Sequence, residues 1–543
     1  MCSHRVKMGL CICLLIVPVF AFIACNNEPA PNHMSRETTI GSDSTRKSVH
    51  PRNITTANAC NNLLLDSNLL EKFIGQQSLD SSKANEMRDF YNRRAFQFAW
   101  FNDSGFTEQA LAFRSLYDYQ DSGFNRKSLD NRLDELLNND SLQPSSNDPQ
   151  IIATELRMTW RFTNYLDATF RDENKKKTLR QALIPFQKQT IEAWATELNG
   201  PDANIAAKNK WFKDLQKALQ QLMAIKKNGG WDSLPISFKL YGRKSKPALI
   251  SRLKKRLQVT GQLEARDTSS VYTKTLEDAI NRTQAQFGHP HDKKLTVALV
   301  KDLNVPVDTR IQQVIINMER MRWMPELPDK PVILVNIPEF KLYVKNGNST
   351  LLDMDIITGK EGNATVMFSG EVNQLVFSPY WNVPPDIVKK EILPAIKKNK
   401  NYLAKEHMEI TGERNGLPIV RQLPGEWNEL GRIKFLFPNN LHIYFHDTPH
   451  KWLFNKDQRA FSHGCIRLAE PVQLAAFLLK NKPEWTPEKI NNAMKSDNEK
   501  SLKLTPPVPV LIYYYTSWVG ADGNIQFRKD IYGHDKDFAK RIF

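Results

Sequence analysis

Cysteine is scarce in this chain: there are six in 543 residues, and Cys2, Cys11, Cys13 and Cys25 all fall at the very N-terminus. Only Cys60 and Cys465 remain for the rest of the chain, too few and too far apart in sequence for a disulfide framework. Zinc-finger spacing, a phosphate-cradling glycine loop and a basic stripe interleaved with aromatics are also lacking, so nucleic acid is not an expected partner. What is present is the balance of a folded protein, with 41% hydrophobic and 25% charged residues. The length allows roughly three or four domains. The formal charge of +16 reads as a solvated basic surface, compatible with an anionic membrane or an acidic polymer.

The N-terminus reads as an address. His4, Arg5 and Lys7 precede an apolar run from Met8 to Ala24, followed by Cys25 and the polar Asn26-Asn27-Glu28-Pro29. This pattern predicts a secretory signal peptide over 1–24. Ala24 before Cys25 resembles a bacterial lipobox, which implies a lipid on the Cys25 sulfur and a lipidated tether over 25–56. The alternative is an uncleaved anchor, for which seventeen apolar residues are at the short limit. Either reading carries the rest of the chain across the membrane, where an idle thiol is a liability and a retained Cys465 calls for a chemical explanation.

The remainder predicts a multidomain α+β protein. Helical spacing, as in Leu69, Leu70 and Phe73 or Met158, Phe162, Tyr165 and Leu166, marks a helical scaffold domain over 57–246. Leu249, Leu253 and Leu257, then Leu276, Ile280, Thr283 and Phe287, then Leu295 to Leu303 predict a small three-helix module over 247–308. Through Ser251 to Leu257, Ala279-Ile280 with Gln284 and Gly288, and Asp292, Thr296 and Leu299 it resembles a peptidoglycan-binding module, although a plain three-helix spacer fits the same signals. From 331 to 520 the period falls to two, in Phe340, Leu342 and Val344 and in Leu352, Met354 and Ile356, with further strands at 332–337, 374–378 and 433–437. This predicts a mainly-β domain. Pro384-Pro385-Asp386 opens a helical insertion over 385–431. Val508 to Trp518 is expected as an edge strand, and 521–543 as a C-terminal extension.

Chemistry concentrates in two short segments. In Leu441-His442-Ile443-Tyr444-Phe445-His446-Asp447, strand alternation sends Leu441, Ile443 and Phe445 to one face and His442, Tyr444 and His446 to the other. Nineteen residues after His446 lies the loop Ser462-His463-Gly464-Cys465-Ile466-Arg467. An ordinary thiol is only a few per cent ionised at neutral pH, so a catalytic Cys465 needs an imidazole, His446 or His463, or the helix expected after Glu470-Pro471, to lower its pKa. Gly464 lets amides at 464 and 465 aim at a developing oxyanion. Arg467 suits a carboxylate. A zinc site of His442, His446, His450, His463 and Cys465 is disfavoured, because His442 and His446 on one strand stand about 13 Å apart.

Ser462-His463-Gly464-Cys465-Ile466-Arg467 with His446-Asp447-Thr448 resembles the signature of the L,D-transpeptidase catalytic domain, the YkuD-type fold. Phe377 to Pro384, Leu430 to Asn439 and His446 to Pro449 are similar to the large, capped members of Gram-negative bacteria. The resemblance implies that Cys465 attacks the stem tetrapeptide at diaminopimelate, releases D-alanine and passes the acyl group to a diaminopimelate amine. His446 is then the general base, oriented by a backbone carbonyl near Asp447. Arg467, Ser462, His463, Tyr444 and Trp381 place substrate, and 385–431 is a lid. The implied partners are peptidoglycan stem peptides and glycan, with the membrane reached through the lipid anchor of a periplasmic lipoprotein. No cofactor or metal is implied. Carboxypeptidase trimming and attachment of a wall protein share the same acyl-enzyme, and a non-catalytic wall-binding lipoprotein is the further alternative.

Overall fold

The structure, a computed structural model, describes residues 54–120, 128–139, 142–200, 203, 210–236 and 246–543. The expected signal peptide, Cys25 and nearly all of the tether lie outside the described residues. The chain divides into two units, Met1–His50 and Pro51–Phe543, and only the second is described.

The first part is helical. Asp66, Asp80 and Asp148 cap the helices Ser67–Gln76, Ser81–Arg93 and Pro149–Thr169 by accepting hydrogen bonds from first-turn amides. Their apolar faces meet around Trp100, Phe113, Phe162 and Leu166. Buried Glu155 ties the layers together, accepting from the amides of Ala99 at 2.7 Å and Trp100 at 3.0 Å. A second core joins the helices Ile191–Asn199, Lys210–Lys227 and Val307–Met321 to Phe527, Phe538 and Ile542 near the C-terminus. The helix Val307–Met321 is absent from the expected elements, yet it buries Ile311, Val314, Ile315, Met318 and Met321. Helices Pro247–Val259, Lys274–Phe287 and Val297–Leu303 close around a core of their own that includes Leu253, Leu257, Ile280 and Leu299.

The C-terminal part is a nine-stranded sheet. Its order is Ala460–Ser462, Ser349–Gly359, Ile466–Leu468, Phe445–His446, Ile433–Leu436, Phe368–Phe377, Lys500–Tyr513, Val332–Asn336 and Lys341–Asn346. The last strand pairs back onto Ser349–Gly359 and closes the ring. Inside lie Leu342, Met354, Ile356, Leu375, Phe435, Phe445, Ile466 and Leu468. On the outer face Val332, Leu334 and Leu511 pack with Tyr119, Trp211 and Met324, so helices from earlier in the chain cover the sheet.

Two expectations are corrected. The strand expected at 508–518 begins at Lys500 and is an interior strand, flanked by Phe368–Phe377 and Val332–Asn336, not an edge. Its Pro506 and Pro507 fall where the register shifts between Lys503 and Val508, a place where a missing amide breaks no ladder bond. The insertion expected at 385–431 begins earlier. Leu417–Gln422 pairs with Trp381–Asn382 on one side and Met408–Arg414 on the other in a separate three-stranded sheet, which packs with the helical stretch 385–398 around Val383, Val388, Ile392 and Val420.

The C-terminal extension is a hairpin, Ser517–Val519 with Ile525–Phe527, and the helix His534–Ile542. A buried polar cluster fastens it. Arg320 pairs with Glu108 and, at 2.6 Å, with Asp535, while Asp535 accepts from the Thr516 hydroxyl and Thr516 is held by Asn317. One guanidinium thus joins the helical part, the end of the sheet and the last helix. Removing one partner of such a cluster leaves uncompensated buried charge. Arg320→Ala is expected to lower unfolding stability by roughly 3–5 kcal/mol, read from urea denaturation; a loss below about 1 kcal/mol, the range of exposed pairs, would show that the cluster does not hold the parts together.

Candidate active site

Asn439 shapes the approach to the site. Its side-chain carbonyl accepts from the amides of Leu441 and Ile443, and its amide donates to the carbonyls of Phe437 at 2.7 Å and Ile443 at 2.8 Å. His442 adopts a left-handed backbone with φ 55. The strand expected over 441–447 is therefore cut down to Phe445–His446, and exposed His442 sits on a turn instead of a sheet face. Ile443 and Phe445 enter the core as expected.

Phe445–His446 runs parallel to Ile466–Leu468, with Phe445 opposite Ile466 and His446 opposite Arg467. Because Phe445, Ile466 and Leu468 are buried in the core, alternation turns Tyr444, His446, Cys465 and Arg467 to the other face. Cys465 is half-buried and His446 is buried. The Tyr444 and His446 rings meet edge-on with centroids 5.8 Å apart. The thiol donates to the His442 carbonyl at 3.4 Å, so its resting hydrogen bond does not go to the imidazole.

Burial pushes the Cys465 thiol up to about 11, against the opposing effects of hydrogen bonds from Tyr444 and the charge of Arg467. Burial thus opposes the expected lowering. Burial, followed by the charge of Arg467, brings His446 down to about 3, with the backbone of Asp447 and Leu430 acting in the opposite direction. Its Nδ1 is buried without a hydrogen bond. The helix Pro471–Leu478 starts beyond the strand Ile466–Leu468. The strand Ile466–Leu468 carries the chain away from Cys465 at about 3.3 Å per residue before that helix starts, and a helix terminus acts only over its own first turn.

The nucleophile loop is fixed from within. Buried Ser462 donates to the Cys465 carbonyl at 2.5 Å and accepts from the Gly464 amide at 3.2 Å. Ser462 thus braces the loop and engages the Gly464 amide. Gly464, at φ 110, also accepts at its carbonyl from Thr365 Oγ1 at 2.8 Å. The amide of Cys465 itself has no hydrogen-bond partner among the described residues. Asp447 donates through its amide to the Ile433 carbonyl at 2.9 Å. Its carboxylate accepts from the Arg432 amide at 2.9 Å and pairs with Lys451 at 2.6 Å. A side chain at Gly431 would collide with that carboxylate.

Two groups meet the inserted unit. Exposed His463 contacts Glu391 through Nε2 at 3.0 Å. Arg467 lies 3.5 Å from Glu429, whose carboxylate also meets His450 Nε2 at 2.9 Å. Trp381, expected to line the cleft, instead packs on the inserted unit's small core. Glu391, Glu429 and Asn439 escape the sequence reading of the site, and His450 enters it only as a disfavoured zinc ligand. For Asn439 a signal exists in the turn-forming run Pro438-Asn439-Asn440.

Residues 330–491 match the family described as the L,D-transpeptidase catalytic domain, YkuD, and residues 85–228 match a family described as a scaffold domain. A curated protein of Haemophilus influenzae named "Putative L,D-transpeptidase" is 32% identical over 241 residues, 41% of this chain. The match spans 48% of that protein, about half its length. Among solved structures, an L,D-transpeptidase from Mycobacterium smegmatis is 14% identical, with 34% of this chain and 58% of that one covered and a TM-score of 0.19. One from Stackebrandtia nassauensis is 12% identical, with 52% and 96% covered and a TM-score of 0.21.

With a thiol near 11, about one Cys465 in ten thousand is ionised at pH 7. Alkylation of the ligand-free protein by iodoacetamide, followed by mass analysis of the Cys465 peptide, is expected to accelerate about tenfold per pH unit from 7 to 10. A plateau below pH 7 would reveal a resting thiolate–imidazolium pair and contradict this electrostatic picture.

Proposed function

We propose that the L,D-transpeptidase catalytic domain of this chain is a cysteine acyltransferase that acts on peptidoglycan stem peptides. The observation that carries the reading is the shared sheet face of Tyr444, His446, Cys465 and Arg467, set by the pairing of His446 with Arg467. Sulfur attacks the carbonyl carbon of diaminopimelate, while the thiol proton passes to His446. The oxyanion meets the Cys465 amide. As the tetrahedral species collapses, His446 returns the proton to the departing amine, the C–N bond breaks and D-alanine leaves a thioester on Cys465. An acceptor amine then attacks the thioester, gives a proton to His446 and restores the thiol.

The neutral resting pair suits this sequence. A thiol raised and an imidazole lowered by burial keep the sulfur protonated until a carbonyl is in place, so the proton moves as the C–S bond forms. We assign the unit from 381 to 431 the part of a lid, supported by its contacts through Glu391 and Glu429 to residues flanking Cys465. With the export signal read at 1–24 and lipid at Cys25, the enzyme would work at the periplasmic side of a membrane. A diaminopimelate amine is the acceptor that yields a cross-link; water would yield trimming.

Incubation of the purified protein with tetrapeptide muropeptides, followed by mass spectrometry, is expected to give a dimer that has lost one D-alanine. Cys465→Ala should give none, and His446→Ala should slow the reaction by about 10²–10⁴. The same dimer from Cys465→Ala would end the proposal.

A further inference from the structure

We infer that Glu429 is an internal stand-in for a substrate carboxylate: it occupies a subsite formed by Arg467 and His450, and an incoming peptide carboxylate displaces it. The inference rests on the acyl-donor reading above and adds how the donor is recognised.

Arg467 is poorly used in this state. Its side chain is 13% exposed, its Nε is buried with no partner, and its contact with Glu429 is 3.5 Å. A guanidinium binds a carboxylate best through two parallel bonds of about 2.7–2.9 Å, so an anion free to approach gains what Glu429 does not reach. Glu429 divides its carboxylate between this contact and the closer one to His450. Its backbone is held elsewhere: the Glu429 amide donates to the Gln422 side chain at 2.9 Å, and Gln422 lies in the strand Leu417–Gln422 of the inserted unit. The Glu429 side chain is 32% exposed, so water and ligand can compete for its place.

Position makes the ligand specific. Arg467 is two residues from Cys465 on the same strand face, so the two side chains start about 7 Å apart. The subsite therefore suits a peptide whose free carboxylate lies within a residue or so of the attacked carbonyl. A second contact follows the same pattern, because Glu391 of the inserted unit meets His463, two residues before Cys465. Two carboxylates of that unit thus cover the groups on either side of the nucleophile. Displacing Glu429 from Arg467 loosens one of these two ties, so donor binding and movement of the unit are linked.

The test uses full-length protein carrying Cys465→Ala, which binds without turnover, titrated calorimetrically with free-acid stem tetrapeptide and with the same peptide fully amidated. Adding Glu429→Gln is expected to tighten the free acid about tenfold, the scale of one charge-assisted hydrogen bond, and to leave the amidated peptide unchanged. His450→Gln, as a second variant, should weaken the free acid several-fold and spare the amide. If Glu429→Gln weakens the free acid or leaves it unchanged, Glu429 positions Arg467 instead of competing for it, and the inference falls. If neither peptide binds to any of the variants, the acyl-donor reading falls and takes this inference with it.

Discussion

The site depends on a single register: a strand of two residues, Phe445–His446, laid parallel to Ile466–Leu468 with His446 opposite Arg467. Side chains alternate with a period of two, so a slip by one residue would send Cys465 and His446 into the core and Phe445 and Ile466 into the cleft. The barrel interior forbids this, because Phe445, Ile466 and Leu468 fill it with almost no exposure. Hydrophobic burial on one face therefore specifies chemistry on the other. The loop that presents the sulfur adds its own bracing, through Ser462 within the loop and Thr365 from beyond it.

That register is secured from outside the catalytic strands. Lys500–Tyr513 lies beyond the span matched by the catalytic-domain family, yet it is a central strand of the sheet. From its end the chain runs through Thr516 into the Arg320 cluster and on to the helix His534–Ile542, whose final turn receives hydrogen bonds from Gln189 and Trp194. The last residues are thus built into the helical part. A segment that looks like an extension in sequence is a clasp in three dimensions.

Much of this was legible in the sequence, and the failures have physical causes. The apolar run at 332–337 marks a strand buried on both faces and the alternating run at 352–356 one buried on a single face, and the Ser462-to-Arg467 loop stands out because a thiol, an imidazole and a guanidinium rarely meet by accident. The helix Val307–Met321 carries its period in Ile311, Val314, Ile315 and Met318 but lies across the boundary between the three-helix module and the mainly-β domain, outside the expected elements. Pro506, Pro507 and Pro509 are unusual in an interior strand, and the register shift between Lys503 and Val508 absorbs the first two. The shortening of 441–447 depends on four hydrogen bonds from Asn439, which periodicity does not encode. The pairing of Glu429 and Glu391 with the site was out of reach, since contacts between an insertion and its host are set by tertiary placement alone.

The electrostatics join these parts into one mechanism. The charge of Arg467 favours the thiolate form of Cys465 but opposes the imidazolium form of His446, so it helps one half of the proton transfer and hinders the other. Glu429 tempers that charge only weakly across 3.5 Å. A carboxylate seated closely on the guanidinium would cancel more of it, and His446 would then accept a proton more readily. Such a ligand also excludes water, which strengthens every remaining interaction around the sulfur. Burial is the first cause of both shifts, with the Arg467 charge acting oppositely on the two groups, so the thiol and the imidazole both rest neutral.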